Sequence, residues 1–357
     1  MRWYLFVVAM LAACQSSPTT GLRGTLLAIG GGLDNDSRAV YERFLELAAA
    51  NGPPRIVVVT AATGDQDQEV VDKGESLRTW QPGVHVEFAR RETSTVATVA
   101  MIDQATALFF TGGDQKRILD RYRPEGGDSP ERRAMLRLLD RGGVIAGASA
   151  GDAMLGQQML LSGRSAPALG IAPPPDDSEE SPVLGPQLGQ GMGFLPWLLT
   201  DSHFFERDRV GRLVAALEAG ACRFGLGVGE DAAVEIDLAT GDVIGLTPSD
   251  SLLVDIGSVS RNGARRDQIR ATLLRQNVRI NIVRRLLAAP EPPPLPTGPE
   301  DVVPVVEAGQ NRQLASWRQF VAASIPGSGT WTLPLEGWQV VAWPDGQGGV
   351  VFSVGPR

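Results

Sequence analysis

The chain has very little of what builds disulfide scaffolds and metal sites: its 357 residues include two cysteines and two histidines. Two cysteines cannot make a disulfide framework, so the fold must stand on a hydrophobic core. Two histidines, with His85 inside an alternating strand pattern, give no cluster with metal-ligand spacing. No metal and no cofactor is expected. Lysine is also scarce, present only at Lys73 and Lys116, and the net charge is −8. A general nucleic-acid binder needs a basic face, so that class is excluded. There is no internal repeat, and no interior apolar run is long enough to cross a bilayer.

What is present is ample apolar material, 43% of the residues, with 42 Gly and 25 Pro. That suffices for one large domain and something smaller. The first 14 residues, "MRWYLFVVAMLAAC", read as a secretory signal: one Arg, an apolar run from Trp3 to Ala13, then Cys14. "LAAC" resembles the bacterial lipobox, which makes Cys14 the expected lipidation site, with an ordinary signal peptide as the alternative. Residues 15–23 would then be a tether. If Cys14 is acylated, Cys222 has no partner within the chain.

Apolar runs and helical periodicities alternate through the middle of the chain. "GTLLAIGGG" (24–32), "RIVVVTAAT" (55–63), "VHVEFA" (84–89), "ATALFFTGGD" (105–114) and "GGVIAGAS" (142–149) read as strands. Helical stretches fall at 37–52 and around 66–80, 115–122 and 130–141. This alternation predicts a mostly parallel sheet covered on both faces. Sites in such sheets lie beyond the carboxyl ends of the strands, where the glycines at 30–32, 112–113 and 147–151 fall.

"GASAG" (147–151) fits the nucleophile-elbow pattern G-x-S-x-G in the right context, an apolar strand before and a helix after. Ser149 is therefore a candidate nucleophile. A small residue in a tight strand-to-helix corner is the alternative. A nucleophilic serine needs a base. His85 reads as structural, whereas His203 follows an apolar run, where a catalytic loop would sit.

Four blocks, "FFTGGDQKRI" (109–118), "GASAGDAML" (147–155), "DSHFFERDRVGRL" (201–213) and "GLGVGEDAAVEI" (225–236), together with "IGGGLDN" (29–35), resemble the cyanophycinases. These are serine exopeptidases of the family that also holds dipeptidase E. The resemblance covers roughly residues 24–260. It implies an α/β fold: a three-layer, flavodoxin-like sheet related to class I glutamine amidotransferase domains. It also implies a Ser–His–Glu triad carried by Ser149, His203 and Glu230. The family has been read with a third member between Ser and His as well. The acids there, Asp176, Asp177, Glu179 and Glu180, lie in a Pro-rich loop, a poor scaffold for an orienting group. The oxyanion hole would use the N–H of Ala150 and one from Gly112 or Gly113. The resemblance assigns substrate binding to Gln115, Asp201, Arg207, Arg209 and Arg212, with Ser202 beside them. Forked guanidinium groups suit the carboxylates of a polyaspartate bearing arginines. Arg207 falls off the stripe that Arg209 and Arg212 would share on a helix, and fits a loop end better.

Three positions depart from the family pattern. Ser202 stands where Gln is usual, Asp152 where a small Ala is usual, and Gly229 where Asp is common. Asp152 reads most simply as a helix-start acid. Residues 163–190 read as a long loop near the site, "SLLVDIGSV" (251–259) as a late edge strand, and 265–289 as a basic, mostly helical run. The catalytic domain is placed at 24–288, followed by a Pro-rich linker (289–300) and a small α+β appendage (301–357) with a helix at "WRQFVAASI" and a hairpin around "DGQGG". The partners implied are a peptide or polymer rich in Asp and Arg, and a membrane reached through the lipid anchor. A homodimer is left open. The alternatives to a cyanophycinase-type enzyme are a dipeptidase E-like aspartyl dipeptidase, a lipid-anchored binding protein without catalysis, and an amidotransferase relative. The last would carry Cys at the elbow, where this chain has Ser.

Overall fold

The computed structural model describes residues 21–124, 127–169, 185–262, 265–287, 331–335, 338–344 and 350–356. The chain first lays down β1 (Thr25–Ile29), α1 (Arg38–Ala49), β2 (Arg55–Val59), α2 (Gln66–Trp80), β3 (His85–Ala89), α3 (Thr95–Gln104), β4 (Ala107–Phe110), α4 (Gln115–Tyr122), α5 (Pro130–Asp140) and β5 (Val144–Ala148). Then come α6 (Ala150–Ala153), β6 (Gln158–Ser162), α7 (Ser165–Ala168), β7 (Gln187–Gln190), β8 (Leu198–Asp201), α8 (Val210–Glu218) and β9 (Phe224–Val228). The rest is β10 (Ala233–Asp237), β11 (Asp242–Gly245), β12 (Ser251–Asp255), β13 (Ser260–Asn262), β14 (Arg265–Leu274), β15 (Arg279–Asn281), α9 (Ile282–Leu287), β16 (Trp331–Leu335), β17 (Trp338–Pro344) and β18 (Val350–Pro356).

The first sheet has the order β15-β11-β10-β1-β5-β4-β2-β3. Its five early strands are parallel, and β10, β11 and β15 add antiparallel pairs at one side. The parallel strands read as unbroken apolar runs because both faces are buried. On β1, Leu27 and Ile29 pack with Phe44 of α1 and Leu77 of α2, while Leu26 and Ala28 pack on the other face with Met135 and Leu138 of α5. Each Leu, Ile, Phe or Met side chain so removed from water contributes roughly 1.5–3 kcal/mol. The α/β class and the mostly parallel arrangement of the early strands agree with the sequence reading.

A second large sheet is a feature the sequence reading did not anticipate. Its order is β16-β17-β18-β14-β12-β9-β8, with β13 paired to β14. One face of β9 (Phe224, Leu226, Val228) joins the core beneath the first sheet, and α8 covers the far side with Leu213 and Leu217.

Several local expectations are corrected here. Residues 265–274 form a strand rather than a helix: Ile269, Ala271 and Leu273 are buried at every second position, a period-2 pattern that their Arg-rich neighbours obscured. β12 is an interior strand between β9 and β14, and not an edge. The segment taken as one loop, 163–190, contains α7 and β7, and β7 pairs with β6. The helix α3 was also missed. The described strands of the supposed C-terminal appendage form the expected β17–β18 hairpin, but β18 pairs with β14. The segment thus extends the second sheet instead of standing apart. The signal segment with Cys14, the tether as far as residue 20, the acids at 176–180, the linker 289–300 and the "WRQFVAASI" helix lie outside the described residues.

Candidate active site

Ser149 directly follows β5 and adopts φ 54°, ψ −104°, a conformation rare for a residue with a Cβ. The turn is tight: a Cβ at Gly147 would lie 2.1 Å from the carbonyl oxygen of Gly151, and one at Gly151 would lie 2.7 Å from that of Phe110. The two glycines of G-x-S-x-G are what let strand and helix approach this closely. Main-chain bonds hold the strained residue, Ser149 N–H donating to the Ile29 carbonyl (2.9 Å). Its hydroxyl donates to His203 Nε2 at 2.7 Å, and His203 Nδ1–H donates to Glu230 Oε1 at 2.6 Å. A carboxylate only accepts, and this sets the tautomer.

The three side chains come from two sheets. Ser149 ends a strand of the first sheet, whereas His203 follows β8 and Glu230 follows β9, parallel neighbours in the second. The glycines at 30–32, 112–113 and 147–151 share one edge, as expected, at the ends of the parallel strands β1, β4 and β5, while the base and acid come from the second sheet. The loop after β1 joins them. Beyond the Ile29 bond to Ser149, the Gly30 carbonyl accepts from His203 N–H (2.8 Å) and that of Gly31 from Asp231 N–H (3.0 Å). Gly31 sits at φ +94°, and a Cβ there would lie 2.5 Å from His203 Cε1. Sequence reasoning noted this glycine run but gave it no role; the triple glycine directly after an apolar strand was the available signal. Glu206 was also missed: its carboxylate accepts the N–H of Glu230 (3.1 Å) and steadies the turn that carries the acid. No local pattern marks Glu206.

His203 is held below the ordinary histidine value, chiefly by burial; the Glu230 bond opposes this, and the cations of Arg207 and Arg209 add to the lowering. A neutral imidazole able to accept a proton is the form a general base needs. Ala150 N–H lies at the first helical position, where no intrahelical acceptor exists, and Ala150 and Gly113 line the pocket in front of Ser149. Gly112 passes close behind the serine, a Cβ there lying 3.4 Å from that of Ser149. The arrangement provides a nucleophile, a base, an orienting carboxylate and backbone donors at a developing oxyanion.

The basic group divides. Arg207 is exposed at the pocket in the turn before α8, at a loop end as expected, and makes no ion pair among the described residues. Arg209 is the N-cap of α8 and not part of a helical stripe. It donates to the Ser202 carbonyl (2.6 Å) and to Asp201 (3.3 Å), and burial brings its guanidinium down to about 10. Arg212 turns inward: two nitrogens contact the Asp201 carboxylate (2.8 and 2.5 Å) and the third the Gly163 carbonyl. Asp201 and Arg212 therefore satisfy one another, although both also line the pocket. Gln115 lines the pocket, but its amide nitrogen is shared by the carbonyls of Leu160 and Leu161 on β6 (3.3 and 3.4 Å). Ser202 lines the pocket beside His203. Of the other departures, Gly229 N–H donates to the Asp250 carbonyl (3.2 Å). Asp152 is no exposed helix-start acid, since it is wholly buried. His85 is remote, on the edge strand β3 beside Glu87. No group of three or more His, Cys, Asp or Glu suited to a metal occurs among the described residues.

A serine in a strained strand-to-helix turn, linked through histidine to a carboxylate on an α/β scaffold, defines a serine hydrolase. Residues 26–244 match the model of Peptidase family S51, and the chain belongs to that family. It is a serine-type peptidase of the cyanophycinase and dipeptidase E kind. A cyanophycinase from Geminocystis herdmanii is 26% identical over 217 residues, 59% of this chain and 73% of that protein. One from Synechococcus elongatus is 26% identical over 274 residues, 74% and 78% of the two chains. The crystal structure of a peptidase from an acI-B1 Actinobacterium shares the fold, with a TM-score of 0.53 and 16% identity over 74% of this chain and 98% of that one.

Proposed function

We propose that the protein is an exported serine exopeptidase that hydrolyses cyanophycin or related β-aspartyl peptides, releasing β-Asp-Arg-type dipeptides. The observation that carries the chemistry is the continuous chain Ser149–His203–Glu230, with hydrogen bonds of 2.7 and 2.6 Å. Ser149 Oγ attacks the scissile carbonyl while His203 Nε2 takes its proton. Glu230 holds the imidazole in its tautomer and balances the imidazolium. The N–H groups of Ala150 and of Gly113 or Gly112 receive the oxyanion. His203 then passes its proton to the leaving amine. Water attacks the acyl-enzyme by the same route in reverse, with His203 again as base.

The finer substrate reading is supported by cations at the pocket. Arg207 has no ion-pair partner among the described residues, and Arg209 is only partly engaged, which suits a substrate carboxylate. Its other support is that the relatives above are cyanophycinases. Export and membrane attachment rest on residues 1–14, with Cys14 as the acylated residue. Mass spectrometry of the native N-terminus tests that part; a soluble protein starting beyond Cys14 without acyl chains overturns it. For the activity, purified protein is incubated with cyanophycin, with β-aspartyl dipeptides and with α-aspartyl dipeptides, and the products are identified by mass. Release of β-Asp-Arg from the polymer supports the reading. Cleavage of α-aspartyl dipeptides alone replaces it with the dipeptidase E-like alternative.

A further inference from the structure

Asp152, three residues past Ser149, is the one buried carboxyl among the described residues with neither oxygen hydrogen-bonded. Its residue exposure is 0%. A carboxyl in this state is strongly unfavourable, and folds retain few of them. Its main chain is tied to β8: Thr200 Oγ donates to the Asp152 carbonyl at 2.6 Å, next to Asp201 in sequence. The charged groups acting on its carboxyl are Asp201 and Arg209, both of which also line the pocket. Other elements packed against this turn offer little. β1, β4 and β5 carry no ionisable side chain. On α4, Lys116 pairs with Asp120, Arg117 reaches the Ala62 and Thr63 carbonyls, Arg121 reaches those of Arg91 and Thr93, and burial keeps the Tyr122 hydroxyl protonated.

Formal charges then make a small buried balance. Asp201 is one negative charge set against two guanidinium groups, Arg209 and Arg212. With Asp152 neutral, one positive charge is in excess and faces the pocket through Arg209. With Asp152 ionised, the cluster is internally neutral. We propose that Asp152 is a specificity-determining residue that competes internally with the substrate: it keeps its proton while a carboxylate occupies Arg209, and in the empty pocket it gives that proton up at alkaline pH to balance Arg209. The only bond exchanged is Asp152 O–H, its proton going to or coming from solvent water. Burial and the neighbouring Asp201 push this carboxyl well above the usual carboxylate range, with the Thr200 hydroxyl and then Arg209 opposing, so the neutral form that admits an anion is the resting form at moderate pH. The inference rests on the reading that the pocket takes an anionic peptide.

The linkage has a direct readout. Above the pH at which Asp152 ionises in the free protein, binding of a carboxylate ligand takes up as much as one proton, and its dissociation constant rises up to tenfold per pH unit. Asp208, one residue before Arg209 and lifted by burial to about 7, titrates in the same region and needs its own control. The experiment is calorimetric titration of the protein with β-Asp-Arg dipeptide between pH 6 and 9.5, in buffers of differing ionisation enthalpy. The carboxyl resonances of ¹³C-labelled aspartate are recorded alongside. Wild type should take up protons and Asp208→Asn should still do so, while Asp152→Asn should take up none and bind with a flatter pH dependence. Asp152→Ala serves if the Asn variant does not fold. Equal proton uptake with and without Asp152, or no uptake in wild type at any pH, overturns the proposal. If the dipeptide does not bind, the substrate reading is what fails. Inorganic phosphate then replaces it, and an Asp152 resonance unmoved by phosphate overturns the linkage itself.

Discussion

The triad and the acid–arginine cluster beside it meet in one short stretch, residues 201–212, which carries His203 as well as Asp201, Arg209 and Arg212, yet they reach order by different means. The triad sets a neutral serine and histidine beside one carboxylate and relies on main-chain hydrogen bonds: burial disfavours the imidazolium, and the carbonyls of Ile29, Gly30 and Gly31 anchor Ser149, His203 and Asp231, the neighbour of Glu230. The cluster uses full charges in a dry interior, with Asp201 at 1% exposure and Arg212 at 7%. Geometry of the first kind tolerates little displacement but stores little charge energy. The second kind tolerates displacement poorly for another reason, since removing one partner strands a buried charge. Catalytic loss and folding loss should therefore separate between the two groups.

The largest effect should come from the triad. Ser149→Ala and His203→Ala should each lower kcat by about 10⁴-fold or more with the melting temperature little changed. Near-normal turnover by Ser149→Ala ends the proposed mechanism. Breaking the charge cluster should show the reverse pattern. Asp201→Ala leaves Arg209 and Arg212 without their shared carboxylate and should destabilise the fold by about 3–5 kcal/mol in denaturant unfolding. A change under 1 kcal/mol would mean the pair is wetter than its burial indicates. Gly31→Ala tests the loop between the two groups. Its Cβ must displace the His203 ring, and a misplacement near 1 Å costs about 100-fold in kcat/KM.

Smaller effects sharpen the contrast. Arg209→Ala removes a charged donor from the pocket and should lower kcat/KM about ten- to a hundredfold on acidic peptides, the worth of one charge-assisted hydrogen bond. No change on any acidic peptide would mark Arg209 as purely structural. The smallest effect is a pH shift. Activity needs neutral His203, so kcat/KM should rise with pH through a midpoint below the ordinary 6.5, because burial, aided by Arg207 and Arg209, disfavours the imidazolium. Arg207→Gln removes one of those cations and should move the midpoint upward. A midpoint above 6.5 in wild type would mean that the Glu230 bond outweighs burial.

The early strands were legible because their signal is local. Buried parallel strands are apolar without interruption, and "VIAGAS" followed by a helix gives the elbow its context. The nucleophile and base were legible for a related reason: strand ends carry sites, and only two histidines compete for the role of base, whereas Glu230 came from the resemblance of its block to the family. β14 was not legible, because Arg265, Arg266 and Arg270 mask an apolar alternation that shows only once β12 and β18 lie on either side. The inward turn of Arg212 was not legible either. Spacing placed it near Arg209, but its partner depends on where β8 delivers Asp201.

By itself the sequence determined the elbow, the candidate base and the α/β alternation, because each depends on residues close together in the chain or on a residue type too rare to be mistaken. Tertiary structure alone decided that two sheets meet at the site, that the end of β1 and the loop after it tie the three triad-bearing turns together, and which charges face the pocket. Those outcomes turn on pairing across strands and on burial. A carboxylate such as Asp152 has the same letters in water or in a core, but only its surroundings set whether it keeps a proton.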